Sequence, residues 1–497
     1  MKKYISIALS VLLCGACTLE RENFNEITPD SFFRTETDLE LAVNALYYDF
    51  QPGLWASGSS LGGMYEADDK GYQIYSDMTT DCLWCNWGWG WDTMYYHQWT
   101  NNDGSLDSQN WFFFSRYRYL SKARNVIRRI EASPVAESVK SAYIGEAEAL
   151  RGWMALGLYD LFGPVPVASD DVLDDPETFA YLPRLTDEEY DRMMEGDLLD
   201  AIGRLPEMPA QRGRMAKGAA RMVLLKYYMI RGQFTKAEEI ARDLYAMNYS
   251  LQSDYAYVFS KEGIGNSEII HCLPCNSGSE SATNYLVAEY LPGDYPWADK
   301  ATGWGGYIMP WDFYDTYEAG DARLNTLRDS YVNKSGKQIN RSDMNGAVIL
   351  KYGLDPDMMD GRCFIDVVVY RYADVLLSLA ECICRNSGGP TPEAVELVNR
   401  VRARAKLPEL SGAAVSSKDG FLGAILSERG HEFYMEGFRR QDLIRFGKYV
   451  EYANARIAKA NEAGKGYFTV DDSHDRMYIP NSFIKESKDQ IRQNTGY

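Results

Sequence analysis

Residues 217–241 read KGAARMVLLKYYMIRGQFTKAEEIA, and this stretch decides the fold class. Apolar residues recur at steps of three and four in its first half, which predicts a helix with one apolar face. Gly232 ends that helix, and Thr235 with Glu238 predicts the capping box of a second helix. A helix, a tight glycine turn and a second helix with alanines at the contact are typical of a tetratricopeptide hairpin. We therefore predict a mostly α-helical protein built on such helix pairs.

The same periodicity extends outward along the 497-residue chain. A capping box at Thr186 and Glu189 predicts another helix start, and Thr391-Pro392 predicts a further one. The other helices are predicted over 139–162, 367–385 and 424–446. Residues 51–111 and 249–365 lack the pattern and are rich in Gly, Asn, Tyr and Trp. The sequence thus predicts a helical scaffold with two long aromatic insertions.

The N-terminus carries an export signal. Lys2 and Lys3 precede an apolar run of about ten residues, too short to span a bilayer, and small residues follow it. Residues 1–16 are therefore interpreted as a signal peptide, and Cys17 resembles the acylated cysteine of bacterial lipoproteins. Residues 17–30 are polar and predict a lipidated tether. Within it, Glu20 and Glu22 resemble the acidic export signal of surface lipoproteins, and this resemblance implies a location at the outer membrane, facing the cell exterior. An ordinary cleaved signal with a coincidental cysteine is the alternative.

Charge and cysteine content restrict the function further. The formal net charge of −19, without a Lys/Arg run, argues against a nucleic-acid partner. The two C-x-x-C pairs, Cys82/Cys85 and Cys272/Cys275, have the ligand types of a zinc site but are too far apart for a zinc ribbon. We expect unpaired or locally bridged cysteines, and we predict no metal and no cofactor.

The stretch WCNWGWGW, from Trp84 to Trp91, is the most distinctive feature of the sequence. Buried helices need tryptophan singly, whereas here glycines separate the rings and let them fan out. Sugars present flat C–H faces that stack on such rings, and their hydroxyls need polar partners such as Asp81 and Asn86. Packing of the rings onto the scaffold is the alternative interpretation.

Enzyme signals are weak. Gly58 to Gly62 matches G-x-S-x-G but lies in a Gly/Ser-rich loop rather than at a strand-to-helix elbow. His431-Glu432 begins a zinc-hydrolase motif, yet Met435 stands where the second histidine must be. We predict no catalytic residue. With 71 acidic residues, paired-carboxylate chemistry stays open, so a glycoside hydrolase on a helical scaffold is the alternative function.

Five segments, in order along the chain, resemble the SusD/RagB family of outer-membrane nutrient-binding lipoproteins. They include YRYADVLLSLAE, from Tyr370 to Glu381, and ERGHEFYMEGFRRQDLIRFG, from Glu428 to Gly447. The other three are 145–167, 217–241 and 477–497. The terminal segment departs mildly, with residues 485–490 where the family often has an Asn-Pro pair.

The resemblance implies one globular unit, with an N-terminal half over 31–250 and a C-terminal half over 251–497. In it, four tetratricopeptide-like helix pairs support a variable, loop-rich ligand face. It also implies glycan or other nutrient binding without catalysis, and delivery to a SusC-type TonB-dependent transporter. The predicted glycan contacts are Asp81, Trp84, Asn86, Trp87, Trp89, Trp91, Tyr290, Trp297, Trp304, Tyr307 and Trp311.

Many charged residues in the matching segments are expected to form structural ion pairs rather than a site. They are Arg151, Arg371, Glu381, Glu428, Arg439, Arg440 and Asp442. An acidic loop with Asp355, Asp357 and Asp360 has oxygens suited to calcium, but a solvated loop is the preferred interpretation.

Overall fold

The computed structural model describes residues 32–53, 63–88, 90–175, 180–279, 282–296 and 303–497. The predicted signal peptide, Cys17 and the tether lie outside these residues, as do Gly58 to Gly62, Trp89 and Trp297. Helices dominate the described chain. The longer ones are Glu36–Tyr47, Tyr117–Glu131, Glu137–Phe162, Asp187–Arg204, Lys217–Ile230, Phe234–Tyr245, Tyr372–Ser387, Pro392–Arg404, Lys418–Phe433 and Tyr449–Glu462.

Shorter helices connect and flank these. They are Tyr72–Met78, Trp91–Tyr95, Asp107–Phe114, Asp170–Asp174, Tyr255–Val258, Leu286–Tyr290, Trp311–Tyr314, Arg439–Arg445 and Asn481–Glu486, with 3₁₀ turns at Tyr48–Phe50, Ala322–Thr326, Arg341–Asp343, Gly412–Val415 and Asp472–Asp475. Among the described residues, no helix is both long and apolar enough to cross a membrane.

Helices that follow one another in sequence pack against one another, as predicted. Tyr117–Glu131 packs on Glu137–Phe162, and Lys217–Ile230 packs on Phe234–Tyr245. Phe234–Tyr245 also packs on Tyr372–Ser387, which in turn packs on Pro392–Arg404. The hairpin in the segment that decides the fold class is confirmed, and alanines Ala220, Ala237 and Ala241 are buried there.

Two predicted helix starts differ in outcome. Thr186 caps its helix, because its hydroxyl accepts from the Glu189 amide at 3.2 Å while the Glu189 carboxylate accepts from the Thr186 amide at 2.8 Å. The second predicted capping box is wrong: the helix begins at Phe234, so Thr235 lies inside its first turn.

Two predicted helices are also revised. Val367–Arg371 is a buried strand, and the helix begins only at Tyr372. The helix predicted over 424–446 is two helices, since Met435 and Gly437 have positive φ angles of 58° and 79°. Gly437 there donates its amide to the buried carboxylate of Asp77 at 3.0 Å, which anchors the break to an early helix.

In the part of the chain that the structure describes, short strands form three small sheets. In chain order they are β1 (Trp84–Cys85), β2 (Ile269–Leu273), β3 (Tyr307–Pro310), β4 (Leu327–Arg328), β5 (Tyr331–Val332), β6 (Gln338–Ile339), β7 (Gly346–Ile349) and β8 (Val367–Arg371). The four-stranded sheet has the order β1-β3-β7-β4, and β2 pairs with β8. Both of these sheets lie within the aromatic insertions or at their edges.

The charged residues of the matching segments are buried in ion pairs, as predicted. Arg371 donates to Glu268 at 2.9 Å and to Glu436 at 2.7 Å, and it also contacts Glu432. The other predicted members pair as Arg151–Asp197, Arg323–Glu428, Arg439–Asp81, Arg440–Asp160, Arg445–Glu381 and Arg429–Asp442. Except for Arg429–Asp442, these pairs connect segments that are at least 46 residues apart in sequence.

Candidate functional site

Strand pairing brings the two predicted aromatic regions together. β1 pairs with β3 in antiparallel register, with Trp84 opposite Ile308 and Cys85 opposite Tyr307. The ladder continues beyond β1, since the Asn86 amide donates to the Gly306 carbonyl at 2.7 Å. As a result, the Trp87 indole N–H donates to the Trp304 carbonyl at 3.1 Å, although 217 residues separate them.

Three side chains at this junction form what we call the aromatic surface: Trp87, Tyr285 and Trp304. Trp304 keeps 38% of its surface exposed and stacks near Tyr285, with ring centroids 6.1 Å apart and planes at 21°. Trp84 and Trp87 are half-buried. Tyr285 was not predicted, because a single tyrosine in an irregular region gives no signal of its own.

The rings are held by specific contacts rather than by loop packing alone. The Trp84 indole N–H donates to Asp92 at 3.0 Å. The Gly306 backbone packs against the Trp87 indole ring, so that a Cβ added at Gly306 would lie 2.6 Å from the ring. Fixed indoles lose little conformational freedom on binding a ligand, so this arrangement favours a preformed stacking platform.

Polar groups accompany the rings. The exposed side-chain oxygen of Asn86 accepts from the Asn345 side chain at 3.0 Å, so two amides lie together at the surface. Asn345 was missed by sequence reasoning, since nothing distinguishes it locally. Asp81 is different: its carboxylate forms a two-pronged ion pair with Arg439, each bond 2.8 Å. Burial would raise the pKa of Asp81, but Arg439 holds it below its ordinary value.

Three predicted contact residues belong to the protein interior instead. Tyr290 and Tyr307 have no exposed surface, and their hydroxyls donate to the Tyr352 and Ala67 carbonyls. Trp91 is buried too, edge-on to both Trp87 and Tyr307. Because no part of the two tyrosines reaches solvent, we correct their predicted role from ligand contact to core packing.

Trp311 lies at the other end of β3 from Trp304. Its indole N–H donates to the Met344 carbonyl at 3.1 Å, and the Arg341 guanidinium covers its ring at 4.2 Å from the centroid. Arg341 is in turn paired with Asp315 at 2.6 Å. Trp311 is half-buried under this cation, so its ring offers less free face than Trp304 does.

One carboxyl beneath the aromatic surface has a strongly shifted pKa. Burial, together with the neighbouring Asp68 and Asp69, raises the pKa of Glu289 to about 9. Glu289 is only 1% exposed, and one of its oxygens has no hydrogen-bond partner among the described residues. A shifted pKa is typical of a catalytic acid, but this carboxyl does not reach the surface where a ligand would lie.

The cysteines and the acidic loop show no ligand geometry. Cys82, Cys85, Cys272 and Cys275 are buried free thiols. Within the described parts of the chain, no group of three or more His, Cys, Asp or Glu side chains is placed to hold a metal ion. In the acidic loop Asp355 is not solvated, since it is fully buried and accepts from the Phe364 amide at 2.8 Å.

Comparison with known proteins agrees with this fold. The SusD family model matches residues 359–497. SusD-like protein P2 of Formosa agariphila is 26% identical, with both chains covered in full. The starch-binding protein SusD of Bacteroides thetaiotaomicron is 23% identical, over 90% of this chain and 88% of that protein.

A solved structure shows the same architecture. Surface glycan-binding protein A from Bacteroides thetaiotaomicron, in complex with laminarihexaose, superposes with a TM-score of 0.74 at 21% identity. The match covers 92% of this chain and 99% of that one. The protein has the SusD-type helical fold, and its residues 359–497 match the model of the SusD family.

Proposed function

We propose that the protein is a cell-surface lipoprotein that binds glycans at the aromatic surface and delivers them to a SusC-type TonB-dependent transporter. One observation carries the binding proposal: the Trp87 indole N–H donates to the backbone carbonyl of the exposed Trp304, and the Asn86 side-chain amide donates to the adjacent Gly305 carbonyl. The names of the relatives, a starch-binding protein and a surface glycan-binding protein, support the ligand class.

The expected affinity follows from the number of rings. Each ring contributes about 0.5–1.5 kcal/mol beyond area burial. Two or three such contacts, set against the free-energy cost of ordering a flexible sugar chain, give dissociation constants on the order of micromolar to millimolar. This range suits a receptor that has to release its ligand to a transporter.

The test is affinity gel electrophoresis with neutral polysaccharides, including starch and the β-glucan laminarin. Wild-type protein should be retarded by at least one of them, and Trp304→Ala and Trp87→Ala should each lose most of that retardation. Trp111→Ala is the matched control, because Trp111 is 37% exposed but packs on Phe483 and touches none of the aromatic surface. Equal mobility of wild type and Trp304→Ala in every gel that retards wild type would refute the site.

The glycoside hydrolase alternative has its own measurement. A hydrolase needs two carboxyl groups that reach the scissile bond, whereas Glu289, which has the most strongly raised carboxyl pKa near the rings, is buried. The relatives are named as binding proteins. We expect purified protein to release no reducing sugar from the polymer that retards it. Release of reducing sugar would refute the binding proposal in favour of a glycoside hydrolase.

The membrane anchor is tested separately. Several acyl chains, at about 0.8 kcal/mol for each buried methylene, would hold the protein on a bilayer. Cys17→Ala should therefore move the protein from the membrane fraction to the soluble fraction without changing its gel retardation. Wild-type protein already in the soluble fraction would argue for the ordinary cleaved signal, and retention of Cys17→Ala in the membrane fraction would show that Cys17 is not the anchor. Co-purification with a SusC-type transporter from the native cells would test delivery.

A further inference from the structure

An open groove of about 880 Å³ lies next to the aromatic surface. A tight turn, Met359–Arg362, separates the two, closed by hydrogen bonds of 3.1 and 2.8 Å between the backbones of its end residues. Gly361 in this turn lies against the rings, since a Cβ there would be 3.6 Å from Trp304 and 3.7 Å from Tyr285. Met359 and Asp360 of the same turn line the groove. One short turn thus borders both features.

The groove offers hydrogen-bond donors. Arg212 pairs through its Nε with Asp366 at 2.7 Å, and 44% of its side chain stays exposed. The Lys261 ammonium lies 3.4 Å from Asp355 and 3.7 Å from Asp357, which are long contacts that leave donor capacity. Asn276 and Ser277 add an exposed amide and an exposed hydroxyl.

The charges around the groove do not favour an anion. Arg212 and Lys261 line the groove, but they are paired with the buried carboxylates of Asp366 and Asp355, and the exposed Asp357 and Asp360 add two negative charges. An anionic ligand would meet these carboxylates, so this arrangement of charges disfavours uronic or sulfated sugars. Donors and acceptors side by side match sugar hydroxyls, which both donate and accept.

Apolar surface completes the lining. Phe364 and Met359 both line the groove, and Met359 is 45% exposed. A volume of about 880 Å³ falls within the usual range for small-ligand sites, roughly 300–1,000 Å³. The groove therefore has the size and the mixed polar and apolar character that a few sugar units require.

We infer that this groove is a second subsite, which takes neutral sugar units of the same glycan chain after it crosses the Met359–Arg362 turn from Trp304. The inference rests on the proposed function and narrows it. The ligand is a neutral, linear oligosaccharide long enough to reach both sides of the turn. Short oligosaccharides occupy the aromatic surface alone.

Calorimetric titration with a ladder of oligosaccharides tests this. The ladder runs from disaccharide to hexasaccharide and is prepared from the neutral polymer that retards wild-type protein, beginning with the laminarin series. The longest oligosaccharides should bind wild type at least tenfold more tightly than the shortest. Met359→Ala and Ser277→Leu, both at exposed positions, should lower affinity for long oligosaccharides severalfold and leave short ones unchanged. Trp304→Ala should weaken binding at every length.

Each outcome is decisive. If affinity does not depend on length, or if the groove variants change nothing while Trp304→Ala weakens binding, the second subsite is refuted and the proposed function stands. Tighter binding of polygalacturonate than of any neutral polymer would refute the neutral ligand class. If wild-type protein binds none of the polysaccharides tested, both the second subsite and the proposed function are refuted.

Discussion

The ion-pair network around Glu432 and the aromatic surface around Trp304 are both built from residue types that are common in binding sites, yet one faces the interior and the other faces solvent. Arg323, Arg371 and Arg404 surround Glu432, and all four are buried. Burial alone would raise the pKa of Glu432, but Arg404, Arg371 and Arg323 hold it well below its ordinary value. The aromatic surface has apolar rings where water reaches them.

The difference teaches how to separate structural residues from functional ones in this chain. Buried charges are tolerated only when partners compensate for lost hydration, so a closed network indicates structure. An exposed indole fixed by backbone pairing adds little to stability, because its face stays in water. Substitutions should therefore affect stability in the first region and binding in the second.

The largest effect is expected from Glu432→Ala. Removing this carboxylate leaves buried guanidinium groups without their partner, which lowers the free energy of unfolding by about 3–5 kcal/mol. Urea denaturation measures the loss. The control is Glu451→Ala, since Glu451 pairs with Lys448 on the surface, where a pair contributes about 0–1 kcal/mol. Equal losses in the two variants would contradict a special role of the network.

Gly306→Ala tests the aromatic surface from below. The new methyl group would lie 2.6 Å from the Trp87 ring and displace it, and overpacking of this kind costs about 1–3 kcal/mol. Glycan retardation should fall together with the unfolding temperature. Gly90→Ala is the control, because no atom lies within 4 Å of the added Cβ. Retained binding by Gly306→Ala would show that Trp87 does not contact the glycan.

Glu289 should make stability depend on pH. Its pKa rises from 4.5 to about 9 on folding, so the folded state keeps a proton that the unfolded state releases between these values. The free energy of unfolding therefore falls as pH rises from 4.5 to 9, by at most about 1.4 kcal/mol per pH unit for one group. Glu289→Gln should flatten this slope and be more stable than wild type near pH 9.

Denaturation curves at pH 5, 7 and 9 measure that difference. Other buried carboxyls with raised pKa values, such as Glu148 at about 8, contribute to the slope of both proteins and cancel in the comparison. Parallel pH profiles for wild type and Glu289→Gln would show that Glu289 is ionised in the folded state.

The smallest expected change in stability distinguishes the two predicted capping boxes, Thr186 with Glu189 and Thr235 with Glu238. Thr186→Ala removes a cap that both partners complete, and should lower the free energy of unfolding by about 1 kcal/mol. Thr235→Ala should change it by a few tenths at most, because Thr235 is not the cap residue of its helix. A larger loss for Thr235→Ala than for Thr186→Ala would reverse this assignment.

Local patterns predicted the helices well because a helix satisfies its hydrogen bonds within one segment. Periodicity located the hairpin over 217–241, and a capping box located the helix start at Thr186. The strand Val367–Arg371 was taken for a helix because its apolar run resembles either element, and only pairing with β2 decides between them.

The candidate site was predictable by region but not by residue. Composition indicated both aromatic insertions, and the pairing of β1 with β3 joined them. Sequence could not tell the exposed Trp304 from the buried Tyr307, since both are aromatic residues in one glycine-rich segment and only tertiary packing sets their exposure. Tyr285 and Asn345 were missed for the same reason.

The pairing of β1 with β3 also bears on how the chain can be divided. β1 is an edge strand contributed from residue 84, and the other three strands of its sheet come from residues 307–349. A fragment ending near residue 250 would expose an unpaired strand with adjacent tryptophans, while the complementary fragment would offer a vacant sheet edge. The two pieces should be insoluble when produced singly and should reassemble when co-expressed, so the chain lends itself to a split reporter whose signal reports formation of the sheet.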